Sequence, residues 1–104
     1  MAVYEMTSRG LTETTATATG PASDTAVTAG TSATITLSYT TLNGIKKIVD
    51  VVGLVSVSGL PDGIAIEGIS ISTGNVSLKV RNTTGADITI TANSVSVTAR
   101  VIGY

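Results

Sequence analysis

Thr34-Ile35-Thr36-Leu37-Ser38-Tyr39 decides the fold class, because large apolar and hydroxyl side chains alternate one for one along it. A period of two is the repeat of a β-strand, so Ile35, Leu37 and Tyr39 face a core while Thr34, Thr36 and Ser38 face water. Thr40-Thr41-Leu42-Asn43-Gly44 then ends the run, and Asn-Gly supplies the positive φ that a tight reversal requires.

Working toward the C-terminus, Ile48, Val49, Val51, Val52, Leu54, Val55 and Val57 put apolar groups on both faces of the next segment, with Gly53 in its middle. A strand buried on both sides reads this way. Either it is a central strand overlaid by the N-terminal segment, or its second face is a subunit interface, since exposed apolar patches seldom stay uncovered. Lys46-Lys47 is a solvated strand start that discourages edge-to-edge pairing, with contact to an acidic partner as the functional alternative. Ser58-Gly59-Leu60-Pro61-Asp62-Gly63 is a turn in which Pro61 presets the first corner, Asp62 takes the second and Gly63 releases the chain.

Beyond it, Ile64 and Ile66 occupy even positions and Ile69 and Ile71 odd ones, with Gly68 between them. Such a change of parity across a glycine marks a β-bulge or a bend. Thr73-Gly74-Asn75 reverses the chain into Val76, Leu78 and Val80, which face inward against Ser77, Lys79 and Arg81. Asn82-Thr83-Thr84-Gly85-Ala86 makes the next reversal, before Ile88 and Ile90. Parity changes again at Ala92-Asn93, ahead of Val95, Val97, Ala99 and Val101. Strands recurring about every ten residues, with no sustained helical spacing, give an all-β fold: a single antiparallel β-sandwich or barrel of about 7–8 short strands.

Working toward the N-terminus, Thr12 to Ser23 is almost purely Thr, Ala, Ser and Gly, with no large apolar side chain between Leu11 and Val27. Such a stretch cannot drive its own burial. Residues 1–33 are therefore expected to form an extended Thr/Ala-rich N-terminal arm or an added strand. The second option suits alternating Thr and Ala. Residues 34–104 are expected to form the β-sandwich domain, and removal of residues 1–24 to leave it folded.

A chain of 104 residues makes one domain with one modest core. Its charged content of 12% is about half the roughly 25% usual in soluble domains, and its net charge is −1. Lys46, Lys47, Lys79, Arg81 and Arg100 form no long basic run, so nucleic acid is not an expected partner. Nor is a membrane, because the longest mainly apolar stretch is far short of the roughly 20 residues of a spanning helix. Met1-Ala2-Val3-Tyr4-Glu5-Met6 lacks the charged start and apolar run of a secretory signal.

With no His and no Cys, nucleophilic triads, thiol chemistry and the usual zinc sites have no residues to build on. Only the carboxylates of Glu5, Glu13, Asp24, Asp50, Asp62, Glu67 and Asp87 remain for a glycosidase pair, and most sit in predicted turns or on wet faces. The chain is read as no enzyme, without cofactor or metal. Of the three tyrosines, Tyr39 is expected in the core with its hydroxyl at the rim, while Tyr4 and Tyr104 are expected contact residues or strand ends. Asn75-Val76-Ser77 and Asn82-Thr83-Thr84 match the glycosylation pattern, a frequent chance match in a Ser/Thr-rich chain.

From Val55 to Tyr104, the Gly-Asn and Asn-Thr-Thr-Gly hairpins and the Val and Thr ladders, together with the Thr/Ala-rich N-terminal segment, give the chain a style. It resembles small all-β virion proteins of tailed phages: capsid decoration or cement proteins and the compact domains of head and tail fibres. The resemblance implies a virion structural protein binding the outer shell as an oligomer, commonly a trimer, with a major capsid protein as partner. Residues 1–33 would grip the shell, and Tyr4, Ile48, Val52, Leu54 and Tyr104 would be the subunit or shell contacts. A fibre domain reading host receptors through loops 40–44 and 82–86 is one alternative. A cell-surface filament subunit joined by strand addition, which would need an export signal, is another.

Overall fold

The computed structural model describes residues 10–104. Eight strands follow one another: β1 (Thr12–Gly20), β2 (Thr25–Val27), β3 (Ser32–Leu42), β4 (Ile48–Ser58), β5 (Ile64–Ile71), β6 (Asn75–Asn82), β7 (Ile88–Ile90) and β8 (Val95–Gly103). Six form one antiparallel sheet in the order β4-β8-β1-β3-β6-β5, curled into a nearly closed barrel, and β2 pairs with β7 as a small second sheet. The all-β antiparallel architecture is the one the alternation predicts. Tyr4 and the rest of residues 1–9, the start of the expected arm, lie outside the described residues.

The core follows the period of two. Ile35 and Leu37 of β3, Val76, Leu78 and Val80 of β6 and Val95, Val97 and Val101 of β8 are fully or almost fully buried, and Val27 and Ile90 of the small sheet pack into the same interior. Ile45, Ile48, Ala16, Ala99 and Val101 form an adjoining cluster, and Tyr39 packs against both. The parity change at Ala92-Asn93 is where the chain passes from the small sheet to the large one, with Asn93 at φ 57°. That at Gly68 is a bulge within β5, at a register shift between Ile66 and Gly68.

Residues 12–20 of the Thr/Ala-rich segment are a strand inside the sheet. β1 pairs with β8 from Thr12↔Gly103 to Gly20↔Val95 without interruption, and with β3 on its other side. Ala16 and Ala18 point inward and are fully buried, while the threonines face outward, where Thr19 Oγ1 donates to Thr40 Oγ1 at 3.3 Å. A strand held on both edges needs no large side chain of its own, because the ladders and its neighbours' valines supply what its alanines lack. Deleting residues 1–24 thus removes a central strand, contrary to the expectation that the domain would stay folded.

The small sheet is clamped by a local repeat. Asp24 precedes β2 and its carboxylate accepts the amide of Ala92, just past β7, at 2.8 Å; Asp87 precedes β7 and accepts the amide of Ala29, just past β2, at 2.9 Å. Thr31 and Ser94 then donate their hydroxyls to the carbonyls of Thr28 and Thr91, each at 2.7 Å. The matching sequences are Asp24-Thr-Ala-Val-Thr-Ala-Gly-Thr31 and Asp87-Ile-Thr-Ile-Thr-Ala-Asn-Ser94.

The turn before β5 differs from its expected form by one residue. Ile64 donates its amide to the Pro61 carbonyl at 3.2 Å, so Asp62 and Gly63 are the corners and Pro61 opens the turn. Gly63, at φ 87°, takes the left-handed corner that a type II turn demands of its third residue.

Candidate interaction surface

β4 lies at one end of the sheet, paired with β8 alone, and β5 lies at the other, paired with β6 alone. The expectation of a central strand covered on both faces is therefore replaced: β4 is an edge strand. Its apolar residues come from a second period. The partners Ile48↔Gly103, Asp50↔Ile102, Val51↔Val101, Gly53↔Arg100, Leu54↔Ala99, Ser56↔Thr98 and Val57↔Val97 skip Val49, Val52 and Val55 in turn. Three bulges at three-residue spacing let β4 advance three residues for every two of β8. Each skipped valine is left outside the ladder, where a bulged residue goes unpaired.

The consequence is an apolar row on the outside. Val49 is 46%, Val52 53%, Leu54 48% and Val55 57% exposed, against 46% for Ile66 on β5. Apart from Tyr104, every large apolar side chain exposed among the described residues lies on one of the two strands that border the open seam of the barrel. Repeated bulges disrupt the ladder geometry that would otherwise let a foreign strand add to this edge. Asp50 reinforces this by accepting the amide of Val51 with its own carboxylate at 2.8 Å.

Of the contact residues expected from sequence, Val52 and Leu54 belong to this exposed row. Ile48 does not: it is 6% exposed, opposite Gly103 and packed with Ile45, Ala16 and Val101. Tyr104 is exposed, and its backbone exchanges hydrogen bonds with the loop before β4, Lys47 N to Tyr104 O at 3.0 Å and Tyr104 N to Lys47 O at 3.1 Å. Val49 and Val55 were missed; the signal for them is the triplet repeat Ile48-Val-Asp, Val51-Val-Gly, Leu54-Val-Ser, visible once a period of three is tried.

At the start of β4 a cleft of about 340 Å³ opens between Tyr39, Leu42 and Ile48 below and Lys46 and Lys47 at its rim, with Ser38, Thr73 and Gly74 completing it. The ion pairs among the described residues lie elsewhere, Arg100 to Glu13 at 3.0 Å and Arg81 to Glu67 at 4.0 Å. Tyr39 donates its hydroxyl to the Ser72 carbonyl at 2.7 Å, and burial pushes that hydroxyl's pKa up. No group of three or more Asp, Glu, His or Cys gathers as a metal site among the described residues, and no helix there is long and apolar enough to cross a membrane.

The two loops of the receptor-reading alternative are tied down. Asn43 donates its side-chain amide to Thr15 Oγ1 at 2.8 Å, and Asn82 is fully buried with Thr84 donating to it twice, at 2.9 Å from N–H and 2.7 Å from the hydroxyl. The folded chain hides the Asn82 glycosylation match for the same reason, whereas Asn75 is exposed. No protein-family model matches this chain, and neither a curated protein nor a solved structure matches it.

Proposed function

We propose that this chain is a structural, non-enzymatic protein that works by association, in the manner of a capsid decoration protein that binds a virion's outer shell as an oligomer. The observation that carries the association is the row Val49, Val52, Leu54 and Val55 on the bulged edge strand β4. A chain without His or Cys, whose carboxylates are spent on backbone amides and surface ion pairs, has little else to offer a partner.

Magnitude shapes the reading. Covering four half-exposed aliphatic side chains contributes on the order of 1 kcal/mol each, and the loss of rotational and translational freedom opposes this by about 4–15 kcal/mol. A single seam therefore gives weak, concentration-dependent association. Repetition of the contact over a symmetric shell multiplies it without any new chemistry.

Two measurements test this. Light scattering across a concentration series should give an oligomer that Val52→Asp disperses while the circular dichroism of the fold is kept; an unchanged mass in that variant overturns the β4 assignment. Purified protein should also co-sediment with emptied heads of the phage that encodes it, and binding to fibres instead would move it to the receptor-reading class.

A further inference from the structure

β4 has unlike ends. Lys46 and Lys47 stand immediately before it, at the rim of the cleft floored by Tyr39, Leu42 and Ile48. After it comes the turn Leu60-Pro61-Asp62, with an apolar side chain, a proline and an exposed carboxylate that forms no ion pair among the described residues. One end is a cleft with an apolar floor and a cationic rim; the other is a knob with an apolar body and an anionic tip.

We propose that two copies of this chain pair through β4 about a two-fold axis near Gly53 and Leu54, each cleft receiving the Leu60-Pro61-Asp62 turn of the other copy. Antiparallel juxtaposition about Leu54 sets Ile48 opposite Leu60 and Lys46 opposite Asp62, because each pair lies equally far from the centre, six and eight residues. A parallel arrangement would set Lys46 and Lys47 against their own copies and is opposed by like charge. In the antiparallel one, the exposed Val52, Leu54 and Val55 meet their counterparts across the axis, and both ends are neutralised. The contact is isologous, so it closes at two copies. It joins side-chain rows rather than extending the ladder, since the bulges at Val49, Val52 and Val55 break the regular edge that strand addition needs.

This inference rests on the association reading above, and charge exchange separates the two. Light scattering on the wild-type chain should give a dimer at high concentration, more dissociated at high salt. The double variant Lys46→Glu, Lys47→Glu and the single variant Asp62→Lys should each weaken self-association by roughly tenfold or more. Combining all three changes should restore the dimer, with thermal melts showing each variant folded. If Val52→Asp disperses the oligomer but the combined variant is no tighter than its parents, the association reading stands and the cleft-to-turn pairing fails. A wild-type trimer has the same meaning. A chain that stays monomeric at millimolar concentration overturns both.

Discussion

The side-chain amide of Asn82 donates to the carbonyl of Val27 at 2.9 Å, joining the end of β6 to the end of β2 from a fully buried position. The same nitrogen donates to Ala86 O at 2.7 Å, and the backbone of Asn82 exchanges bonds with the turn at Gly30 and Thr31. One carboxamide thus holds together the loop after β6, the small sheet and the entry to β3. All of its bonding capacity is used where no water can substitute.

Asn82→Ala should be costly for that reason. It leaves the buried carbonyl of Val27 and the amide of Thr84 without their partner, and each orphaned group costs about 1–3 kcal/mol. A urea titration followed by circular dichroism should show a lower midpoint with an unchanged slope; a shift below about 0.5 kcal/mol would mean that Asn82 is not the joint described.

Glycines on the two outer pairing partners should behave oppositely. A methyl at Gly103 would overlap the Lys47 carbonyl oxygen and crowd Ile45 Cδ1 at 2.7 Å, so Gly103→Ala should lose about 1–3 kcal/mol, as overpacking does. At Gly53 a methyl meets nothing within 4 Å, and Gly53→Ala should stay within about 0.5 kcal/mol of wild type. Paired thermal melts check the contrast.

Truncation to residue 21 removes β1 from between β8 and β3 and leaves both with bare edges. The shortened chain should show no cooperative thermal transition. A folded, cooperative product would place the structural role of residues 12–20 in doubt.

Alkaline pH should act through Tyr39. Its pKa is raised above the usual 10.0 by burial, so the folded state favours the protonated phenol more than the unfolded state does. The sign follows: this contribution is full below pH 10 and is lost as pH rises through the higher folded value. Tyr39→Phe should be slightly less stable at neutral pH, having lost the bond to Ser72, yet its stability should fall less between pH 9 and 11. Equal slopes for the two proteins would contradict this.

Much of the fold was legible because burial on one face of a strand leaves a period of two in the sequence, as at Ile35 and Leu37 or Val76, Leu78 and Val80. β1 was harder to read, since alanine carries almost no hydrophobic signal and its burial is imposed by neighbours distant in sequence. The repeated Asp-x-x-x-Thr-Ala of the small sheet was present in the sequence, but only the pairing of β2 with β7 gives its two carboxylates their targets.

β4 shows where the division falls. Sequence by itself determined that this segment is apolar on more than one side, that the chain is all-β, and that its chemistry is poor in nucleophiles and metal ligands. Only the tertiary structure decided that the segment lies at an edge, with Ile48 turned in and Val49, Val52 and Val55 turned out. Which residue of a strand faces the core depends on its register against a partner. A run of bulges resets that register every third residue, through contacts with β8 more than 40 positions along the chain.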